Sequence, residues 1–173
     1  GMVEDYVAVK HKRKPANYVH PVLEEILAET NGVMVYQEQV MRILNRLGGI
    51  ELAKAYTCIK AISKKKESLI AENAEKFLQG CVEKGMTKDG AQDFWNMILK
   101  FAGYGFNQGH ATAYADVSYR STYMKVHYPA PFFAARLANF GGYHHPAVYM
   151  AEAQRLGIPV HPPHVNHSGR RFT

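Results

Sequence analysis

The sequence predicts an all-α protein, a non-repeating multi-helix assembly with an extended C-terminal tail. Apolar residues recur at helical spacing through most of the chain, and Pro, Gly or Asn stands where most of the periodic segments stop. The sequence shows no convincing strand pair, internal repeat or low-complexity tract. With 173 residues, 47% of them hydrophobic, the chain is long enough to bury one substantial core.

The individual helices are placed by their start and stop signals. Pro21 suits a first helical position, Gly48 and Gly49 end the next helix, Thr87 is a good N-cap, and Pro129 stops a later helix. The spacing predicts helices over residues 21–30, 37–47, 51–62, 66–82, 88–100, 111–127, 131–139 and 147–156.

The helical part is flanked by segments of a different character. Residues 1–20 are basic and short of helical periodicity, which indicates an arm or connector. Beyond Gly157, three closely spaced prolines predict an extended chain. The expected division is therefore an arm at 1–20, one helical domain at 21–157 and a tail at 158–173.

The charge pattern favours an anionic partner. The formal net charge is +6 at pH 7, with a pI of about 9.3, and the cations are clustered. The clusters are Lys10, Lys12, Arg13 and Lys14; then Lys60, Lys64, Lys65 and Lys66; and finally Arg170 and Arg171.

Other features bear on the compartment and on the extent of the chain. No run of about 18 apolar residues occurs and no signal-peptide pattern opens the chain, so we expect a cytoplasmic protein without membrane contact. Gly1 before Met2 is typical of a cleaved expression tag, which makes a fragment plausible. Cys58 and Cys81 are too far apart for a CxxC motif and are expected to be buried and reduced.

A glycine-aromatic loop at residues 103–109 could cradle a phosphate. Its glycines would let backbone amides approach closely, and the following helix N-terminus would add positive potential. The alternative is a glycine-rich turn between helices, plugged by Tyr104 and Phe106, and spacing alone favours that turn. A dinucleotide fold fits worse, because a helix rather than a strand precedes the loop.

The lysine run at residues 64–66 is the second candidate site. Cations at a helix start are disfavoured by the helix dipole unless an anion lies nearby, and a phosphate would supply one. A solvated charge run is the alternative, and it is the usual one for such runs.

Metal binding has little support in the sequence. His161, His164 and His167 recur at every third position, but no carboxylate or cysteine accompanies them, as one does in most metal sites. No aspartate pair stands in a strand context to hold two magnesium ions for phosphoryl transfer.

Several stretches together resemble one family, the α subunit of bacterial DNA polymerase III, a C-family replicative DNA polymerase. The resemblance covers nearly the whole chain in the family's order and approximate spacing. It rests on Tyr36–Met41, Lys64–Lys66, Lys100–Asn107 leading to His110-Ala111, Ala113–Ala115, Lys125 with His127–Pro129, and Pro162-Pro163 with Val165-Asn166.

The resemblance implies that the chain is the later part of the fingers, with the tail leading toward a helix-hairpin-helix region. The magnesium-binding aspartates would lie in a palm that precedes this stretch, so the chain alone is expected to be inactive in DNA-directed DNA synthesis. Sliding-clamp and proofreading-exonuclease contacts would lie on other regions of the subunit.

The resemblance also implies roles for particular residues toward deoxynucleoside triphosphate and primer-template DNA. Lys60 and Lys64, Lys65 and Lys66 would neutralise phosphates, Tyr104 and Phe106 would pack near the base or sugar, with Gly105 and Asn107 in the same nucleotide-binding loop, and His110 would sense the sugar. The basic arm, with Lys10, His11, Lys12 and Arg13, would contact DNA. Gln37 and Gln39 would brace the site.

The chain departs from the family pattern at a few of these positions. Family members commonly carry two arginines where this sequence has Ile59 and Lys60, a glycine at Ser63, and Lys-Ser where Gln108-Gly109 stands. A bidentate phosphate contact would thereby be lost. The alternative to a polymerase fragment is a stand-alone helical module that binds nucleic acid through basic patches and aromatic stacking.

Overall fold

The computed structural model describes residues 2–102, 105–139 and 141–172, and these residues are mostly helical. The helices are Met2–Lys10 (α1), Pro21–Leu27 (α2), Gln37–Arg46 (α3), Leu52–Ser63 (α4), Glu67–Glu83 (α5), Lys88–Ala102 (α6), Gln108–His127 (α7), Pro129–Ala138 (α8) and Pro146–Arg155 (α9). A 3₁₀ turn at Ala28–Thr30 extends α2. The described residues form no strand, only an isolated parallel bridge between Tyr36 and Phe106, so the predicted all-α class is confirmed.

The chain divides into two compact units, Gly1–Ala111 and Thr112–Thr173. The division expected from the sequence, with boundaries at residues 20 and 157, stays a prediction. Residues 2–10, expected to lack helical periodicity, nevertheless form α1, and none of the helix's residues is buried. A helix without a buried face leaves no apolar stripe in the sequence, which explains why it was missed.

The core of the first unit is formed by residues from α2 through α6. Helix α3 buries one face, and α5 and α6 meet it with aromatic side chains. The Phe77 ring lies 5.3 Å from Trp95 and 6.3 Å from Phe94, between ring centroids. Cys58 and Cys81 lie in this core as free, buried thiols, as expected. Each large side chain buried here contributes about 1.5–3 kcal/mol.

A glycine pair sets how closely α5 approaches the end of α3. A β-carbon on Gly80 would lie 2.4 Å from the carbonyl oxygen of Gly48, and one on Gly48 would lie 2.4 Å from the Phe77 ring. Neither position accepts a side chain without movement of a neighbour. This contact positions α4 and its lysine-rich end, because α4 follows directly from the Gly48-Gly49 turn.

The second unit is smaller and its core is thin. Helices α8 and α9 pack together, and Phe133 and Leu137 of α8 and Ala153 of α9 are buried. No residue of α7 is buried, although the helix runs for 20 residues. Within the described residues, no helix is sufficiently long and apolar to cross a bilayer. The tail beyond Gly157 contains a turn in which the Ser168 hydroxyl accepts from the His164 N–H, and its extended character stays a prediction.

Candidate functional site

The lysine run forms the turn between α4 and α5. Lys64 is the C-cap of α4, Lys65 has a left-handed backbone with φ of +52°, and Lys66 is the N-cap of α5. The Lys66 N–H donates to the Ala61 carbonyl at 2.9 Å and the Lys65 N–H to the Ile62 carbonyl at 3.0 Å. This pair of bonds is a Schellman motif, which satisfies the last carbonyls of α4. All three lysine side chains point into solvent, since each residue is exposed.

This geometry changes the electrostatic argument made from the sequence. The run was expected at a helix start, where cations are disfavoured without an anion nearby. Lys64 and Lys65 instead cap the C-terminus of α4, where the dipole favours cations. Lys64 and Lys65 are therefore placed favourably without a bound phosphate, whereas Lys66 remains at the start of α5, where the dipole disfavours a cation. The exposed charge of the three side chains does not by itself show that a ligand binds there.

Ile59 and Lys60, near the end of α4, differ in burial. Ile59 is 3% exposed and belongs to the core, so this position does not offer a side chain to a ligand. Lys60 is exposed, and its Nζ lies 4.4 Å from the centroid of the Tyr56 ring, a cation-π contact. Of these two residues, Lys60 alone presents a cation at the surface.

The basic cluster at the N-terminus repeats the same turn. Lys10 is the last residue of α1, and Lys12 has a left-handed backbone with φ of +56°. The Arg13 N–H donates to the Ala8 carbonyl at 2.8 Å and the Lys12 N–H to Val9 at 2.9 Å. The predicted DNA-binding residues Lys10, His11, Lys12 and Arg13 are all exposed. Neighbouring Lys14 is paired with Asp5, and this hydrogen bond and charge lower the pKa of the Asp5 carboxyl.

The glycine-aromatic loop is tied to the start of α3. Gly103 and Tyr104 lie outside the described residues, so the role predicted for Tyr104 stays a prediction. The Phe106 N–H donates to Val35 at 3.1 Å, and the Gln37 N–H donates back to Phe106 at 2.9 Å. A β-carbon on Gly105 would lie 3.0 Å from the Phe101 ring, so glycine suits this tight passage. Phe106 itself is 67% exposed.

The N-terminus of α7 is already occupied by side-chain acceptors. The Asn107 Oδ1 accepts the His110 N–H at 2.8 Å, which is an N-cap bond. The Glu38 carboxylate accepts from the Gln108 N–H at 2.9 Å and from the Asn107 side-chain amide at 3.1 Å. An anion of the chain therefore lies where the phosphate-cradle interpretation of the loop would place a phosphate. A phosphate at this helix end would have to displace Glu38.

A buried glutamine holds the segment to which the loop is tied. Gln39 is fully buried; its Oε1 accepts from the Val35 N–H at 2.9 Å and the Tyr36 N–H at 3.0 Å. Its Nε2 donates to the Thr30 hydroxyl at 2.8 Å. Gln39 thus links α2, α3 and the strand-like segment that pairs with Phe106. These contacts hold the start of α3 in place, and a role for Gln39 in bracing a nucleotide site stays a prediction.

The lysine turn and the loop occupy different elements of the first unit. The turn's described hydrogen bonds stay within α4 and α5, whereas the loop bonds to the start of α3. Glu38 was not singled out from the sequence as a ligand of the loop. Its position in the first turn of α3 was visible, but its contact with Asn107, 69 residues later, depends on the tertiary fold.

The described residues do not fit a magnesium site. No group of three or more His, Cys, Asp or Glu side chains among residues 2–102, 105–139 and 141–172 could hold a metal ion. The His164 and His167 rings stack on each other at 4.7 Å. No reaction step is therefore assigned to a metal on this chain.

Comparisons with known proteins match this helical unit with its basic helix ends to a polymerase domain. Residues 1–85 match the family model described as the bacterial DNA polymerase III alpha subunit finger domain. Across 173 residues the whole chain is 42% identical to the DNA polymerase III subunit alpha of Aquifex aeolicus (strain VF5). It is 40% identical to the same subunit of Helicobacter pylori (strain ATCC 700392 / 26695) over all of the chain, and 39% identical to that of Bacillus subtilis (strain 168) over 97% of it. The chain belongs to the DNA polymerase III α-subunit family.

The chain covers only a small part of these relatives. It spans 15% of the Aquifex and Bacillus proteins and 14% of the Helicobacter protein. The activity of the whole polymerase is thus a property of proteins much longer than this chain.

Proposed function

We propose that this chain is part of the fingers of a DNA-directed DNA polymerase, where it binds the incoming deoxynucleoside triphosphate and the primer-template. The observation that carries the proposal is the match of the whole chain to a part of α subunits, together with exposed cations fixed at the ends of two helices. The chemistry itself belongs to another part of the polymerase. There, a palm would hold Mg²⁺ on aspartates, and the present chain alone would be inactive.

The lysine turn would contribute charge neutralisation. Lys64, Lys65 and Lys66 project from a turn whose three backbone N–H groups all donate to α4 carbonyls, so these groups need no reorganisation when a phosphate arrives. Lys60 would add a cation one helical turn earlier. Preorganised positive charge stabilises the triphosphate and the charge that develops on it.

The loop would contact the base or sugar. Phe106 is an exposed ring on a backbone that is hydrogen-bonded on both sides, so its position is fixed while its face stays available. Gly105 and Asn107 hold this geometry. His110, in the first turn of α7, would sense the sugar, and Tyr104 is proposed to act beside Phe106.

The end of α1 would contact the DNA backbone. Lys10, His11, Lys12 and Arg13 form an exposed cluster without base-reading geometry, which suits phosphate contacts that depend on salt and not on sequence. Contacts with a sliding clamp and a proofreading exonuclease are proposed for other regions of the subunit, and the site of action is proposed to be the cytoplasm.

Primer extension by the full-length polymerase tests the proposal. Lys65→Ala should raise the KM for deoxynucleotides about tenfold or more, since a charge-assisted bond to a phosphate contributes roughly 1.5–3 kcal/mol. Lys88→Ala, which removes an exposed lysine from the start of α6, is the matched control and should leave KM unchanged.

The loop is tested in the same assay. Phe106→Ala should weaken nucleotide use, and His110→Ala should alter the ratio of deoxynucleotide to ribonucleotide incorporation. Kinetics identical to wild type in Lys65→Ala, Phe106→Ala and His110→Ala, all folded, would show that the turn and loop are structural only.

A further inference from the structure

Arg136, in the second unit, differs from every other arginine of the chain in its burial. It is partly buried on α8, whereas the other arginines are exposed. Burial of a cation removes water from it and is costly unless another group compensates. The contacts of its guanidinium therefore need to offset this cost, which an exposed arginine does not incur.

The guanidinium is held by an aromatic ring and a glycine. Its Cζ lies 4.7 Å from the centroid of the Tyr149 ring, and Nη2 donates to the Tyr149 hydroxyl at 2.7 Å. Gly142, with φ of +103°, passes so close that a β-carbon there would lie 2.4 Å from Nη2. A side chain at residue 142 would be both strained and in collision with Arg136. These contacts fix the orientation of the planar fork.

No carboxylate neutralises this arginine among the described residues. The ion pairs of the second unit join Arg120 to Asp116, and Lys125 and Arg155 to Glu152. Within residues 105–139 and 141–172, the Tyr149 hydroxyl is the hydrogen-bond acceptor that Arg136 uses. The remaining N–H groups of the guanidinium face solvent, since the described chain holds no buried side-chain nitrogen without a partner.

Arg136 lines a cavity of about 250 Å³. Its wall includes Gly141, Gly142, His144, Pro146 and Tyr149, and no acidic residue lines it. The His144 ring stands edge-on to the Tyr149 ring, with centroids 6.3 Å apart. The cavity thus combines a preorientated cation, an imidazole and two glycines, of which Gly142 lies next to the guanidinium.

We propose that this cavity is a binding site for a phosphate group. Arginine presents paired N–H groups that match phosphate oxygens, and stacking on Tyr149 fixes them before the ligand arrives. No carboxylate of the described residues pairs with Arg136, so a bound phosphate would supply the negative charge that compensates it. The proposal does not depend on the lysine turn or the loop, because the site is built from residues of the second unit only.

Two sources could provide this phosphate, a free phosphate and the phosphodiester backbone of DNA. The test is ¹H–¹⁵N NMR of the 173-residue chain, titrated with inorganic phosphate and, in parallel, with a short single-stranded DNA at equal ionic strength. The backbone amides of Gly141, Gly142 and His144 report on the cavity. They should shift and saturate with at least one of the two ligands. Saturation at lower phosphate concentration with the DNA would assign the backbone as the ligand, and the reverse would assign free phosphate.

Variants distinguish binding at this site from nonspecific electrostatic binding of an anion to a basic protein. Arg136→Met should raise the Kd about tenfold or more, the loss expected for a charge-assisted bond. Arg136→Lys keeps the charge and should still weaken binding, because lysine lacks the planar fork. Arg120→Met removes the same charge from an exposed position and is the matched control. Amides that do not respond to either ligand, or an Arg136→Met titration equal to that of Arg120→Met, would overturn the proposal.

Discussion

Replacing Lys65 by glycine and by alanine separates backbone strain from charge at the lysine turn. Lys65 holds φ of +52°, a region that costs a residue with a β-carbon about 1–2 kcal/mol and costs glycine almost nothing. Glycine loses roughly 0.5–1 kcal/mol more backbone entropy on folding than alanine. Because the strain relieved exceeds the entropy lost, the free energy of unfolding of Lys65→Gly should be about 0.5–1 kcal/mol higher than that of Lys65→Ala. Both variants lose the same positive charge, so the helix-dipole contribution cancels in this comparison.

The neighbouring Lys64 provides the internal control. Its φ is −93°, so glycine relieves no strain there and Lys64→Gly should be less stable than Lys64→Ala. Urea unfolding of the four variants measures both differences. With an m-value of about 2 kcal/mol per molar urea, the Lys65 pair should differ in midpoint by roughly 0.25–0.5 M.

The sign of the difference is decisive. A Lys65→Gly variant less stable than Lys65→Ala, or the same order at both positions, would refute the left-handed Schellman turn. Under the proposed function, both Lys65 variants should weaken phosphate binding equally, although one of them is the more stable protein. A loss of binding in Lys65→Gly could therefore not be attributed to unfolding.

Other perturbations test the core, a close glycine contact and an ion-pair network. Gln39→Met should lower the free energy of unfolding by about 2–4 kcal/mol, because buried N–H groups lose their acceptor, and chemical denaturation would measure this. Gly80→Ala should cost about 1–3 kcal/mol, since its β-carbon meets the Gly48 carbonyl, and a thermal shift near zero would contradict that contact. Hydrogen bonds from Arg155 and then Lys125 lower the pKa of Glu152 to about 2, so the stability from this pairing is present above the ordinary value of 4.5 and is lost as the pH falls toward 2. A ¹³C NMR titration midpoint of the Glu152 carboxyl near 4.5 would refute it.

Most helices of the first unit could be predicted because their signals are local. The expected bounds 37–47, 51–62 and 66–82 differ by one residue at one or both ends from α3, α4 and α5. Buried faces repeat at helical spacing in all three, and glycines follow the ends of α3 and α5, so local signals are sufficient. Helix α1 has no buried face and was missed for that reason.

The start of α7 shows where local reasoning fails. The sequence placed this helix at residue 111, but it begins at Gln108. Asn107 is a good N-cap type, yet the Gly109 that follows argues against helix. The Glu38 carboxylate, which accepts from the Gln108 N–H, stabilises these first residues from another part of the chain. No local pattern could have supplied that partner.

The same contact bears on how the loop would bind a nucleotide. A helix N-terminus attracts phosphate because its amides lack acceptors, but here Glu38 and Asn107 already accept from them. Glu38 would also repel a phosphate placed at that helix end. Under the proposed function, the loop would therefore contact the uncharged base or sugar through Phe106. The phosphates would bind at the lysine turn, where the cations are exposed. In the primer-extension assay this division predicts that Lys65→Ala affects triphosphate affinity, whereas Phe106→Ala affects the choice among nucleotides.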